Sequence, residues 1–149
     1  MTDNIIIRPA RLKEVRPALA FAQKIFQQFV RPDADVTGIG DKEENIRQYE
    51  TGQWLMFLAL DQGRIVGMVC ERDGCHIRKL YVDEAYHRQG IATTLMNVIV
   101  TAMKEQGAAQ ITLASSDHAL PFYTRYGFVA TGLRQNNNGL IFTPMAYEL

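Results

Sequence analysis

Hydrophobic residues recur at two spacings along the chain, and these spacings predict helices alternating with strands. The helical spacing runs over 15–30 and again from Ile91 to Gly107, where the glycine is expected to end the helix in a left-handed conformation. A short helix is predicted over 42–49, and a second one after the strand 110–114 runs to Tyr126 and is capped by Gly127; a loop is predicted at 33–40. Apolar runs bounded by turn residues predict strands at 5–8, 54–60, 64–70, 75–82, 110–114, 128–133 and 141–149.

The order of these elements predicts one mixed α/β domain over residues 1–149. A strand, the long helix and another strand follow one another between residues 75 and 114, and such a crossover joins parallel neighbours in a sheet. The last two strands are expected to pair antiparallel around residues 135–139. A chain of 149 residues is long enough to bury a substantial core.

A hairpin turn is predicted at Asp73-Gly74, between two of the central strands. A two-residue loop would place Glu71 opposite His76. It would also set Cys70 and Cys75 diagonally, about 7–8 Å apart at their α-carbons, too far for a disulfide. We therefore expect two free thiols, as in a reducing compartment, and no metal site, because no further ligand pair accompanies them.

Composition excludes several classes of protein. The 16 basic and 16 acidic residues cancel, so no excess charge indicates binding to a nucleic acid or an anionic membrane. No apolar run approaches the length of a transmembrane helix. The first residues, MTDNIIIRPAR, lack the long apolar region of a signal peptide. We expect a cytoplasmic protein.

An anion site is predicted where the strand 75–82 leads into the long helix. The connecting loop ends in Gly90-Ile91-Ala92, and the helix begins there. The first amides of a helix have no internal partner, and the helix dipole adds positive charge, so a phosphate is favoured. Gly90 and Ala92 leave room for its approach, and Arg88 adds a guanidinium. The segment has neither the Gly-Lys-Ser/Thr of a P-loop nor the glycines of a dinucleotide fold.

Two blocks of this sequence resemble motifs of the GCN5-related N-acetyltransferases, the GNAT family. Residues 87–92, HRQGIA, resemble its pyrophosphate loop, Arg/Gln-x-x-Gly-x-Gly/Ala, and depart from it at His87. Residues 119–128, ALPFYTRYGF, resemble its A-x-x-F-Y-x-x-x-G-F block. The blocks occur in the family's order, and the likeness covers nearly the whole chain. It implies transfer of an acetyl group from acetyl-CoA to an amine.

The resemblance also implies a sheet whose central parallel strands splay apart to admit the pantetheine arm, with helices on both faces. Ser115 stands near a position where many relatives contact the cofactor through an asparagine; its hydroxyl either does the same or caps the next helix. The implied cofactor-binding residues are Leu80, Tyr81, Val82, His87, Arg88, Gln89, Gly90, Ile91, Ala92, Thr93 and Ser115.

Two residues are candidates for moving protons. Tyr123 holds the tyrosine position of the second block and is implied to protonate the departing thiolate; the alternative is a packed aromatic, with Tyr126 as a natural control. His76 stands four residues before Leu80, where some relatives carry a basic carboxylate. Its neutral imidazole can accept a proton, and Glu71 opposite would raise its pKa. The alternative is a solvent-facing polar pair.

Three hypotheses stay open for the activity: direct transfer in a ternary complex, ping-pong transfer through Cys70 or Cys75, and acyl-CoA binding without turnover. A longer acyl chain and a homodimer are both compatible with the sequence. The resemblance implies that the acceptor enters over 26–49 and 134–142. Acids there either attract a cationic amine or are simply solvated: Asp33, Asp35, Asp41, Glu43 and Glu44.

Overall fold

The computed structural model describes residues 4–29 and 40–149 and arranges them as a mixed sheet flanked by helices. The helices are α1 (Val15–Phe29), α2 (Glu43–Glu50), α3 (Ile91–Glu105) and α4 (Leu120–Tyr126). The strands are β1 (Ile5–Pro9), β2 (Met56–Asp61), β3 (Arg64–Arg72), β4 (His76–Val82), β5 (Gln110–Ser115), β6 (Val129–Ala130), β7 (Gln135–Asn137) and β8 (Leu140–Glu148). Single 3-10 turns lie at Leu12–Glu14 and Glu84–Tyr86. Most of the predicted loop 33–40 lies outside the described residues.

The strands are ordered β1-β2-β3-β4-β5-β8-β6, and β7 pairs with β8. The predicted parallel pair is β4 with β5, which confirms the mixed α/β class. Buried residues form a hydrophobic cluster on each side of the sheet. Leu95, Met96 and Ile99 of α3 are fully buried in one cluster, while Val15 and Ala18 of α1 belong to the other. Each large buried side chain contributes about 1.5–3 kcal/mol, which fixes α3 against the sheet.

The C-terminus of α3 has the predicted glycine cap. Gly107 has φ 101°, its amide donates to the Lys104 carbonyl at 3.0 Å, and the Ala108 amide donates to the Met103 carbonyl at 3.1 Å. This is the Schellman pattern, which satisfies carbonyls that the helix leaves free. The chain then turns directly into β5.

Strands β4 and β5 touch at their beginnings and then separate. Their register has one aligned pair, His76 with Thr112, supported by a hydrogen bond from the Thr112 amide to the Cys75 carbonyl at 2.9 Å. Strand β5 is meanwhile paired with β8 over its whole length. The expected splay is confirmed, and a gap opens between Leu80 on one side and Ala114 on the other.

The predicted register of the central hairpin is wrong, by one residue next to the turn and by two at Cys70, which pairs with Lys79 beyond a bulge. Asp73 and Gly74 do form a tight turn, with φ 57° and 77°, but Arg72 pairs with His76 and Glu71 with Ile77. The Glu71 carboxylate explains the shift, because it is buried and accepts hydrogen bonds from the Gly74 and Leu55 amides at 2.7 Å each. Cys75 is left as an extra residue in the turn. Both cysteines are free, as predicted.

The C-terminal hairpins also differ from the prediction. The strand predicted over 128–133 is limited to β6, and the predicted turn 135–139 contains β7. Asn138 and Gly139 both have left-handed backbone, with φ 56° and 89°, as the two central residues of a tight hairpin require. The result is a short β7–β8 hairpin beside the gap.

Candidate active site

A cleft of about 980 Å³ opens where β4 and β5 separate, and it is bordered by the start of α3 and by α4. Two of the lining residues, Ile25 and Phe26, come from α1. Most residues expected to bind the cofactor line the cleft, namely Leu80, Tyr81, Val82, His87, Arg88, Gly90, Ile91, Ala92 and Thr93. The structure therefore brings both sequence blocks to one site.

We call residues 87–93 the phosphate loop. Gly90 is the residue before α3 and has φ 78°, a left-handed conformation that glycine adopts without penalty. A β-carbon at Gly90 would meet nothing within 4 Å, so the backbone conformation, not packing, calls for glycine here. Open space above the first amides of α3 is what an approaching anion needs.

The beginning of the phosphate loop is tied to the strand it follows. His87 Nε2 lies 2.8 Å from the Val82 carbonyl oxygen, and since a carbonyl only accepts, this nitrogen carries the proton. Arg88 has φ 65°, a conformation that non-glycine residues hold only where their surroundings fix it. The Gln89 side chain is separate from these groups; its Oε1 is buried without a hydrogen-bond partner among the described residues.

Tyr123 lies on α4 and forms part of the cleft wall. Its ring packs edge-on against Phe122 and Phe128, at 5.4 and 5.6 Å between centroids. Burial raises the pKa of the Tyr123 phenol well above its usual value, and the nearby Tyr81 raises it further. Within the described part of the chain, no group hydrogen-bonds this hydroxyl. It is protonated at neutral pH and free to donate.

The end of α4 fixes where Tyr123 stands. Gly127 ends the helix with φ 124°, and its amide and that of Phe128 both donate to the Tyr123 carbonyl, at 3.1 and 2.9 Å. A β-carbon on Gly127 would come within 2.8 Å of the Tyr147 ring. The Gly-Phe pair of the second block thus has a physical role in placing the tyrosine.

His76 lies at the closed end of the gap, where β4 and β5 still touch. Its Nδ1 is 2.8 Å from the Thr112 hydroxyl, and it is not among the residues that line the cleft. Burial lowers the pKa of His76, and Arg72 and Arg78 lower it further. The expectation that Glu71 faces His76 and raises its pKa is wrong, because the Glu71 carboxylate binds two backbone amides instead.

The two serines after β5 have different surroundings. Ser115 is buried, and its hydroxyl donates to the Ser116 carbonyl at 2.8 Å. Ser116 lines the cleft, and its hydroxyl accepts from the Ala119 amide at 3.1 Å in the turn that precedes α4. Ala114 and Ser116, on either side of Ser115, are therefore the residues here that face the cleft.

Two of the acids expected to attract an amine, Asp41 and Glu43, are already engaged in ion pairs. Asp41 contacts Arg78 at 2.7 Å and Lys79 at 3.6 Å. Glu43 pairs with Arg16 at 2.7 Å. Glu44 is exposed, and the remaining two candidates, Asp33 and Asp35, lie outside the described residues.

Sequence analysis missed two groups on the wall of the cleft. Arg78 lines it beside Leu80; the two-residue spacing that places alternate strand residues on one face could have indicated this. Apolar side chains line the opposite end, namely Ile25, Phe26, Leu140, Ile141 and Phe142. No motif in the sequence marked this apolar set, because it joins α1 to the β7–β8 hairpin.

Neither cysteine is placed to act as a nucleophile. Cys70 is fully buried, and burial raises the pKa of its thiol to about 11. Cys75 is exposed in the hairpin turn. Neither of them lines the cleft.

Two absences complete the description of the residues the structure covers. None of the described helices is long and apolar enough to cross a membrane. Within the same residues, no group of three or more His, Cys, Asp or Glu side chains is arranged to hold a metal ion.

Comparison with known proteins gives matches that agree with this geometry. A family model described as "Acetyltransferase (GNAT) domain" matches residues 39–149. N-alpha-acetyltransferase 30 from Schizosaccharomyces pombe is 33% identical over 96 residues, which is 56% of this chain and 64% of that protein. N-alpha-acetyltransferase MAK3 from Arabidopsis thaliana is 35% identical over 85 residues, 50% of this chain and 45% of that protein. The match thus covers less than two thirds of either relative.

The fold has solved counterparts. A GNAT family acetyltransferase from Elizabethkingia anophelis, determined with acetyl-CoA bound, superposes with a TM-score of 0.65 over 99% of both chains at 20% identity. At this identity the likeness concerns the fold.

Proposed function

The chain belongs to the GNAT family of acetyltransferases, and from this premise we propose that it transfers acetyl from acetyl-CoA directly to a primary amine in a ternary complex. The observation that carries the proposal is the shared cleft. Tyr123, whose hydroxyl no described residue hydrogen-bonds, and the N-terminus of α3 line the same gap between β4 and β5.

The cosubstrate would be held by its two chemically distinct parts. The amides at the start of α3, with Arg88, would receive the pyrophosphate, because they are free donors on the positive end of the helix dipole. The pantetheine arm would lie in the gap beside Leu80 and Val82. The gap is open on this side because β4 and β5 are not paired beyond His76, and β3 pairs only with the other edge of β4.

In the proposed reaction the amine nitrogen attacks the thioester carbonyl carbon, and the carbon–sulfur bond breaks. The proton leaving the amine passes to a base or to water. Tyr123 gives its proton to the departing sulfur and recovers one from solvent, so CoA leaves as a thiol. Burial supports this role, because it keeps the Tyr123 phenol protonated at neutral pH. A ping-pong route through Cys70 is not supported, since that buried thiol lies away from the cleft lining.

The acceptor we propose is an α-amine, as the names of the two relatives suggest. An α-amine has a pKa of about 7.7–8.0, so roughly one in ten to one in six molecules is neutral at pH 7, against about one in 2,500 for a lysine amine. Asp117 is the carboxylate among the described lining residues, and it is held by Arg134 at 2.7 Å. An acceptor that loses its proton easily suits such a site.

His76 is our candidate base, acting through water because it does not line the cleft. Its lowered pKa keeps the imidazole neutral and able to accept a proton at pH 7. The two free thiols support a reducing, cytoplasmic location.

A two-substrate kinetic experiment tests the proposal. CoA release should be measured with a short peptide bearing a free α-amine, the same peptide blocked at the α-amine but carrying a lysine, and a polyamine. We expect release with the first and intersecting initial-rate lines, as a ternary complex requires. Parallel lines would mean a covalent acetyl-enzyme. CoA binding without release for any amine would mean a binding module that lacks catalysis.

A further inference from the structure

We propose that Asp61 and Arg64 clamp the hydroxyl of Tyr86 and thereby hold the phosphate loop in the shape that binds CoA. Tyr86 is then a positioning residue for the cosubstrate. The inference rests on the acetyl-CoA binding proposed above, and it concerns residues that neither sequence block contains.

The clamp is a hydrogen-bonded set of three side chains. The Tyr86 hydroxyl donates to Asp61 Oδ2 at 2.5 Å, and Arg64 Nη2 donates to the same hydroxyl at 3.0 Å. The Arg64 guanidinium carbon also lies 5.6 Å from the centre of the Tyr86 ring. The tyrosine is therefore fixed both at its oxygen and at its face.

The two clamping residues flank the tight turn of one hairpin, between β2 and β3. Asp61 and Arg64 are directly paired at the ends of β2 and β3. Gln62 and Gly63 between them have φ 49° and 83°, the left-handed conformations of a tight two-residue turn. The pairing of the two strands therefore places the Asp61 carboxylate beside the Arg64 guanidinium independently of Tyr86.

Tyr86 lies immediately before the phosphate loop. It ends the 3-10 turn Glu84–Tyr86, and its ring lines the cleft. The start of this turn is also fastened, because the Asp83 amide donates to the Val66 carbonyl at 2.8 Å. Arg64 Nη1 approaches the Asp83 carboxylate at 3.9 Å. The β2–β3 hairpin therefore holds both ends of the turn that leads into the loop.

The phosphate loop needs such support from outside. Arg88, two residues after Tyr86, has left-handed backbone, which the chain keeps only where neighbouring structure holds it. If the loop spends only part of its time in this shape, the apparent affinity for CoA falls by that fraction. Releasing Tyr86 should therefore weaken CoA binding without touching the reacting atoms.

The test compares Tyr86→Phe, Asp61→Ala and the double variant with wild type. Tyr86→Phe keeps the ring and removes the hydroxyl. We expect the Kd for CoA by calorimetry and the KM for acetyl-CoA to rise about tenfold, since a hydrogen bond to a charged group is lost. The kcat and the acceptor KM should stay within about twofold. The double variant should be no worse than either single one, because both remove the same bond.

Two further variants sharpen the result. Asp61→Asn keeps an acceptor oxygen and should recover part of the affinity lost in Asp61→Ala. Tyr126→Phe is the matched control, because it removes a tyrosine hydrogen bond of 2.7 Å, to Asn97, outside the loop; its KM for acetyl-CoA should be unchanged.

The outcomes separate this inference from the proposed function. A wild-type protein that binds no CoA would overturn the proposed function. A wild type that binds CoA, with unchanged affinity in Tyr86→Phe, would overturn the clamp alone. Losses that add in the double variant, or a lower melting temperature with unaltered CoA affinity, would likewise leave Tyr86 as an ordinary packing residue.

Discussion

Replacing Tyr123 by phenylalanine separates chemistry from packing unusually well in this protein. The ring is almost fully buried, with 7% of its surface exposed, and its edge-on contacts with Phe122 and Phe128 do not involve the oxygen. No described residue hydrogen-bonds that oxygen. Tyr123→Phe therefore removes one atom that the folded protein does not use for stability.

The expected magnitudes follow from this geometry. The free energy of unfolding should not fall, because no hydrogen bond is broken and a desolvated hydroxyl is removed. CoA affinity should be unchanged, since the phosphate loop is untouched. If the hydroxyl protonates the leaving sulfur, kcat should fall roughly 10²–10⁴-fold, equivalent to about 2.7–5.4 kcal/mol in the barrier.

Single-turnover acetyl transfer at saturating acetyl-CoA is the assay, with thermal melts and CoA calorimetry on the same samples. The loss in Tyr123→Phe should shrink with an acetyl thioester of a more acidic thiol, which needs less help in leaving. Tyr126→Phe should show the opposite pattern: it loses a hydrogen bond to Asn97, so stability should drop by about 0.5–1.5 kcal/mol while turnover persists. Near-normal turnover in Tyr123→Phe would refute the reasoning and leave solvent as the proton source.

Gly90→Asp places a negative charge above the first amides of α3, and calorimetry should show CoA binding weakened strongly; unchanged affinity in a folded variant would contradict the anion site. If His76 is the base, its lowered pKa places the acidic limb of the plot of kcat/KM against pH below pH 6.5. This limb should be absent in His76→Gln. A limb that persists in the variant reports ionisation of the acceptor amine instead. Gly127→Ala places a β-carbon 2.8 Å from the Tyr147 ring, on backbone with φ 124°. Denaturant titration should show the free energy of unfolding lowered by roughly 2–4 kcal/mol. An unchanged unfolding midpoint would mean that Tyr147 moves aside freely. Glu14 accepts two hydrogen bonds of 2.8 Å from Arg8, and these lower the pKa of its carboxyl from 4.5 to about 2. The stabilisation from this ion pair is therefore present above pH 4.5 and lost as the pH falls towards 2. Melting curves of Glu14→Gln should depend less on pH across that range, and an identical dependence would argue against this pair.

Local patterns in the sequence were sufficient wherever a short segment decides its own conformation. The period of α3 and the glycine after it gave both the helix and its cap. The Asp73-Gly74 turn was likewise correct. The register of the same hairpin was not, because Glu71 reaches across to Leu55, and no local pattern reports a carboxylate that binds an amide 16 positions away.

In the candidate site, too, the residues within short motifs were predicted from the sequence, and those brought together from separate elements were missed. The loop and Tyr123 lie in contiguous motifs, so the family resemblance located them, and their roles stay predictions. Arg78 was missed although its two-residue spacing from Leu80 places both side chains on one face of β4. The Tyr86 clamp was missed because its partners lie 22 and 25 positions earlier in the chain. Side chains that come from separate hairpins and act together can be identified only from the folded structure.

The early parting of β4 and β5 links the lifetime of this protein to its metabolic surroundings. Where β4 and β5 separate, each has an edge that faces the gap. The backbone N–H and C=O groups on these edges have no neighbouring strand with which to form hydrogen bonds. A ligand that fills the gap between β4 and β5 binds only the folded chain. At a free concentration of 100 times its Kd, the ligand adds about 2.7 kcal/mol to the free energy of unfolding. That increment lowers the unfolded population roughly a hundredfold, and with it the supply of substrate for cellular proteases. The abundance of this chain should therefore rise and fall with the supply of CoA.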